Sequence, residues 1–188
     1  RFVATSASRD AANREEFFAG VRARLGIEPE LISGDEEAQL SFVGALSGAA
    51  LAPDGAVLVM DSGGGSTELV RGDASAKIAG AISIDVGSRR IRERYLRFDP
   101  PSAEQIAAAR AEVNRLLDAS PVDLAGIGSF IGVAGTVTSL AALNLGLTSY
   151  DRQAVHGSPM TPAQVARLTE YLLSIGVARY QAAPLRDI

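Results

Sequence analysis

Val57-Leu58-Val59-Met60-Asp61-Ser62-Gly63-Gly64-Gly65-Ser66-Thr67-Glu68-Leu69-Val70 is the stretch on which the reading of the fold turns. Its apolar opening predicts a buried strand that delivers Asp61 to its end, and a second strand leaves at Thr67. Between the two, Gly63, Gly64 and Gly65 are expected to turn with positive φ and bring the backbone close to a ligand. Successive amide N–H groups in such a turn form an anion-binding nest. Ser66 and Thr67 add hydroxyl donors, while Asp61 and Glu68 are oxygen ligands suited to Mg²⁺. Two other phosphate loops are set aside by the same residues. A Walker A loop needs a lysine where Gly65 stands, and a dinucleotide fingerprint needs a helix where Thr67 to Gly72 reads as a short hairpin strand. Taken alone, the run also fits a plain glycine-rich hairpin.

Downstream, strands over 56–61, 67–71 and 77–85 are spaced as an antiparallel meander. Helices follow over 88–96 and 103–117, with Ser102 as N-cap of the second. A buried strand is predicted over 130–134, then helices over 136–145 and 162–174, the last capped by Thr161 with Pro162 in first position. Upstream, a strand over 2–5 leads to a helix over 11–25 whose apolar positions are Phe17, Phe18, Val21 and Leu25 and which Gly26 ends. A second strand over 30–33 and a helix over 36–51, with Leu40, Val43, Ala45 and Leu46 apolar, complete a β-α-β-α series that signals an open α/β sheet. The turn residues Ala52-Pro53-Asp54-Gly55 divide the chain into lobes at 1–52 and 53–188.

Three more segments carry chemistry, each with a bland alternative. Phe130 to Leu140 is a strand that breaks at Gly135 and feeds a helix, whose free N–H groups and partial positive charge suit a phosphate; Thr136 also serves as an ordinary N-cap. Ser33-Gly34-Asp35-Glu36-Glu37-Ala38 combines a capping-box spacing with three acids in one turn. The helix dipole explains acids there, yet one facing a bound polyanion would have its pKa raised toward a value useful in a base. Arg9, between a strand end and a helix start, is placed to grip a phosphate bidentately or to be a plain surface arginine. His156 has no neighbouring acid or second histidine and is assigned no role.

Composition narrows the classes. The 188 residues are 47% hydrophobic, enough for a packed core. Cysteine is absent, which excludes disulfides and thiolate metal sites and suits a reducing compartment, and the single histidine excludes a multi-histidine zinc site. A net charge of -4 argues against a nucleic-acid binder. No apolar run approaches the roughly 20 residues of a membrane helix. Arginines nevertheless crowd at positions 89, 90, 92, 94 and 97, offering planar donor forks to phosphate oxygens or simply reflecting a lysine-poor composition.

Taken together, Thr5 to Ala11, Ser33 to Ala38, Asp61 to Glu68, Asp85 to Arg90 and Gly132 to Thr138 resemble the exopolyphosphatase and guanosine-pentaphosphatase (Ppx/GppA) family in content, order and spacing. The β-β-β-α-β-α order of 53–188 is likewise similar to the half-repeat of actin, sugar kinases and chaperone ATPases. The resemblance implies an α/β, actin-like lobe of ribonuclease H-like type with a mixed sheet, preceded by the tail of a similar lobe. It implies a cytoplasmic, Mg²⁺-dependent phosphoanhydride hydrolase that removes orthophosphate from polyphosphate or guanosine pentaphosphate, with pairing into a homodimer and no nucleic-acid or membrane partner. Glu37 matches the base for water; Arg9, Gly63 to Thr67, Arg90, Gly135 and Thr136 match phosphate contacts; Asp61 and Glu68 match acids that bind the metal or order the water. Two departures bear on activity. The family's first-lobe Asp-x-Gly loop lies upstream of Arg1, and its last segment follows Asp187-Ile188, so this length alone is expected to be inactive or nearly so. A kinase or ATPase of the same fold would need a nucleoside pocket late in the second lobe, where none is evident; a non-catalytic polyphosphate or alarmone sensor would have less use for Glu37 and Arg9 together.

Overall fold

Two sheets organise residues 1–180, the part of the chain that the computed structural model describes; the Asp187-Ile188 end lies outside it. In the first sheet β1 (Val3–Ala4) pairs in parallel with β2 (Glu30–Leu31). Parallel neighbours need a crossover, supplied by α1 (Ser6–Asp10) and α2 (Arg14–Leu25). The helix expected over 11–25 begins only at Arg14, and a separate short helix precedes it over Ser6–Asp10. The Thr5 carbonyl accepts the N–H groups of Ser8 and Arg9 and starts a helix early, and Ala11 then turns extended. Phe18 and Val21 are buried in α2, whereas Phe17 and Leu25 are 51% and 56% exposed. Phe17 instead leans on the Phe2 ring, 6.2 Å away between centroids.

α3 (Gly34–Leu46) starts two residues before the expected 36, capped by Ser33 Oγ accepting from Glu36 N at 3.1 Å, and ends five residues short of the expected 51. Its buried face is also a correction. Ala38 and Phe42 face the core, while Leu40 and Val43 are each 48% exposed. Residues two apart point to opposite sides of a helix, so Leu40 cannot share a face with Ala38 and Phe42, which lie four apart.

The second sheet has the order β5-β4-β3-β6, made of β3 (Ala56–Ser62), β4 (Thr67–Gly72), β5 (Ile78–Ile84) and β6 (Ile127–Val133). The first three form the expected antiparallel meander. β6 runs parallel to β3 after a crossover through α4 (Ser88–Tyr95) and α5 (Ala103–Asp118). This is the mixed sheet of an actin-like lobe. α3 covers one face of it, where Phe42, Val57, Val59 and Val70 are almost fully buried. Gly72 admits the Phe42 ring, since a Cβ there would stand 2.6 Å from Phe42 Cζ.

The burial expected for β6 is one-sided: Ile131 and Val133 pack on the core, while Phe130 is 59% exposed. α6 (Ala134–Asn144) follows β6 without a loop, which places Thr136 inside the first turn and leaves Val133, not Thr136, at the cap. Ser102 caps α5 through a reciprocal box with Gln105. A short α7 (Arg152–Val155), not anticipated, precedes α8 (Pro162–Tyr180), which Thr161 caps as expected and which runs beyond 174 across a non-helical Gly176. Among the described residues no helix is long and apolar enough to cross a membrane.

Candidate functional site

Strand register builds the first row of the site. Asp61 pairs with Glu68 across β3 and β4, and Glu68 pairs with Ser83 across β4 and β5. Side chains alternate along a strand, so this row shares the face of Val59, Val70 and Ala81 and continues the core toward the end of the sheet with polar groups. Ser83 Oγ donates to Glu68 Oε1 at 2.7 Å, and Ser41 Oγ, from α3, donates to Asp61 Oδ2 at 2.7 Å. Each serine fixes one carboxylate. Glu68 is only 3% exposed.

Glu37 lies one turn before Ser41 on α3 and faces the same row. Burial, and then the Glu68 carboxylate, push its pKa above the ordinary carboxylate value, outweighing hydrogen bonds from Arg9 and Thr5 that act the other way. Arg9 reaches over from α1 and donates to the Ile32 carbonyl at 2.9 Å and through both terminal nitrogens to Glu37 Oε2 at 3.2 Å. The two residues expected to act separately on phosphate and water thus hold each other.

The turn at Gly63, Gly64 and Gly65 differs from expectation, because positive φ occurs at none of the three. α4 shapes it instead. Ser88 N donates to the Gly63 carbonyl at 3.1 Å, Arg89 N and Arg90 N donate to that of Gly64 at 3.0 Å, and Arg90 Nε donates to that of Gly65 at 2.6 Å. In a trans peptide the N–H points opposite to the preceding C=O. Anchoring these carbonyls on α4 therefore turns the N–H groups of Gly64 and Gly65 the other way, the arrangement of an amide nest reached without left-handed backbone. Gly87 makes the contact feasible: a Cβ there would stand 2.5 Å from the Gly64 carbonyl oxygen and 2.6 Å from Gly65 N.

These pieces enclose a cleft of about 540 Å³, lined by Thr5, Glu37, Asp61, Glu68, the 63–66 turn, and Arg89, Arg90, Glu93 and Arg94 of α4. A groove of similar volume on α2, between Asn13 and Leu25, is mostly apolar and draws on one helix, so the convergent chemistry lies in the cleft. Glu37, Asp61, Gly63, Gly64, Gly65, Ser66, Glu68 and Arg90 thus come together as the sequence suggested. Others stand apart from the lining. Arg9 sits against Glu37, and Thr67 is buried with its hydroxyl donating to the Val86 carbonyl at 2.6 Å. Gly135 and Thr136 open α6 at the same end of the sheet, because Val133 pairs in parallel with Asp61, yet they do not line the cleft. Arg89 and Arg94 come from the arginine cluster noted in the sequence and Thr5 from the Thr5 to Ala11 segment, whereas Ser41, Ser83 and Glu93 were not singled out from sequence. For the serines, period-2 register opposite an acid is the one signal that points to Ser83; Ser41 is placed by tertiary packing.

Asp61 and Glu68 fit a magnesium ion, which takes one or two carboxylates and completes its shell with substrate oxygens and water. Among the described residues no group of three or more His, Cys, Asp or Glu side chains could form an all-protein cage.

Comparison with known proteins gives a consistent result. A family profile described as the Ppx/GppA phosphatase family matches residues 1–187. Exopolyphosphatase 2 of Mycobacterium tuberculosis is 40% identical over 98% of this chain and 59% of its own length. The crystal structure of an exopolyphosphatase-like protein superposes with a TM-score of 0.91 at 42% identity, covering 98% of this chain and 60% of that one. The Ppx/GppA family member from Aquifex aeolicus superposes with a TM-score of 0.80 at 32% identity, covering 99% of this chain and 58% of that one. The chain therefore spans about three fifths of the length of the relatives it matches.

Proposed function

The chain belongs to the Ppx/GppA phosphatase family, and on that premise we propose that it carries the site of a phosphoanhydride hydrolase releasing terminal orthophosphate from inorganic polyphosphate. The observation that carries this reading is the placing of a carboxylate of raised pKa, Glu37, in one cleft with an amide-presenting glycine turn and arginines. Phosphoryl transfer asks mainly for positioning and charge stabilisation, so no nucleophilic side chain is required. The terminal phosphate rests its oxygens on the N–H groups of Gly64 and Gly65. Glu37 accepts a proton from a water aimed at phosphorus; the water oxygen bonds to phosphorus as the bridging P–O bond breaks, and the bridging oxygen leaves on the shortened chain. Arg9 is well placed to shift between Glu37 and an incoming phosphate oxygen, leaving the carboxylate freer to take the proton. Asp61 and Glu68 are the residues that would hold Mg²⁺, which when bound offsets charge on the phosphate oxygens.

Guanosine pentaphosphate as a second substrate, a homodimeric assembly and residence in the cytoplasm are parts of the same proposal, carried by membership of the family. The test is orthophosphate release by the full-length protein, from polyphosphate and from guanosine pentaphosphate, beside its Glu37→Gln variant. A loss of about 10² to 10⁴ in kcat is expected, the usual worth of general-base help. A loss of only a few-fold would remove Glu37 from the role.

A further inference from the structure

The arginines of α4 differ in what they do. Arg90 is committed to the fold: it ties down the Gly65 carbonyl and lies 3.5 and 3.6 Å from carboxylate oxygens of Asp10 and Asp85. Arg89 also lines the cleft, but its side chain is 82% exposed and leans on Glu93 at 2.8 Å. Arg94 lines the cleft one helical turn beyond Arg90 and is exposed; among the described residues it makes no ion-pair contact within 4.0 Å, although the charge of Glu112 on α5 is close enough to interact with it. An arginine on a cleft wall that is not hydrogen-bonded to a carboxylate keeps its donor fork for an outside anion. Arg92, on the same helix and also exposed, does not line the cleft.

We infer that Arg94, assisted by Arg89, grips internal phosphates of a linear chain whose terminal phosphate rests on the 63–66 turn, so that α4 selects long polyphosphate over short phosphoanhydrides. This rests on the reading given under Proposed function. The residues four apart, Arg90 and Arg94, stand one above the other along the helix. A chain leaving the turn, which Arg90 fixes, meets Arg94 next if it follows α4 outward. A triphosphate held at its terminal group reaches less far along that wall and gains less from it. Glu93 sets the limit of the arrangement, since its carboxylate on the same wall repels the chain unless Arg89 neutralises it.

The experiment measures KM and kcat of the full-length protein for long-chain polyphosphate and for tripolyphosphate, in the unaltered protein and in Arg94→Ala, Arg89→Ala and Arg92→Ala. Arg94→Ala is expected to raise KM for the long chain about tenfold, the size of one lost charge-assisted contact, with kcat and the tripolyphosphate KM within about twofold. Arg89→Ala is expected to act in the same direction and more weakly, and Arg92→Ala, which removes the same charge outside the cleft, to change neither. Equal effects on both substrates, no effect of Arg94→Ala, or an equal effect of Arg92→Ala would overturn the inference while leaving the hydrolase reading in place. Absence of phosphate release from either substrate by the unaltered protein would remove both.

Discussion

At the scale of single residues, the chemistry turns on the competition around Glu37. Burial and the Glu68 carboxylate raise its pKa from the ordinary 4.5, and the Arg9 guanidinium holds it back. A base must be deprotonated, so kcat/KM should rise with pH through this raised value, placing the acid limb above that of a free glutamate. Glu68→Gln removes one of the two raising influences. The acid limb is then expected to move to lower pH, read from the pH profile of phosphate release even if the rate at its plateau falls; a limb that stays in place would detach it from Glu37. For stability the sign is the reverse of a salt-bridged acid. The folded protein binds the Glu37 proton more tightly than the unfolded chain, so this group favours folding most below the ordinary carboxylate pKa and loses that contribution as pH rises through its folded value.

Between elements, the decisive contact is the one that α4 makes with the glycine turn. The N-terminus of α4 spends its first N–H groups on Gly63 and Gly64 carbonyls, and so orders the turn rather than offering itself to a ligand. Gly87→Ala would force a methyl group into the Gly64 peptide. Overpacking of this kind costs about 1–3 kcal/mol, and the amide nest would lose its alignment. The expected outcome is a lowered midpoint in urea together with a KM for polyphosphate raised at least about tenfold; a normal KM would show that the nest does not depend on α4. The same contact explains what could be read in the sequence. The meander, the crossover to a parallel strand and the Ser102 and Thr161 caps follow from local alternation and capping chemistry, which act over a few residues. The conformation of Gly63 to Gly65 does not, because it is set by carbonyl acceptance from a helix more than twenty residues away. The face of α3 escaped for a related reason: Leu40 and Val43 are as apolar as Phe42, and tertiary packing, with room for the Phe42 ring left by Gly72 on the sheet, decides which side chain enters the core. Of the site, Glu37, Asp61, Glu68 and the turn announced themselves as motif residues; Ser41 reaches it only by folding.

For the whole molecule, the cleft lies where the small β1–β2 unit meets the larger sheet, and two ion pairs among the described residues join its walls. Arg9 of α1 binds Glu37 of α3, and Arg90 of α4 approaches Asp10 of α1. α3 packs on the larger sheet although the chain reaches it before the 52–55 turn, so it couples the two units. A polyanion that engages the turn and Arg94 on one wall and draws on Arg9 at the other should therefore hold both units together. Binding to the folded state alone stabilises it by about 2.7 kcal/mol at a hundredfold excess over Kd. For a chain of 188 residues that corresponds to a rise in Tm of about 5–11 °C. Long-chain polyphosphate with Mg²⁺ is expected to produce such a rise in thermal unfolding of the Glu37→Gln variant, which retains the nest and the arginines but turns over slowly, so the ligand persists through the scan. Arg94→Ala in the same background should shrink the rise by about 1.4 kcal/mol, the equivalent of its tenfold weaker binding. Equal rises in the two proteins would show that the chain does not lie along α4, and no rise in either would show that the cleft does not take a polyanion.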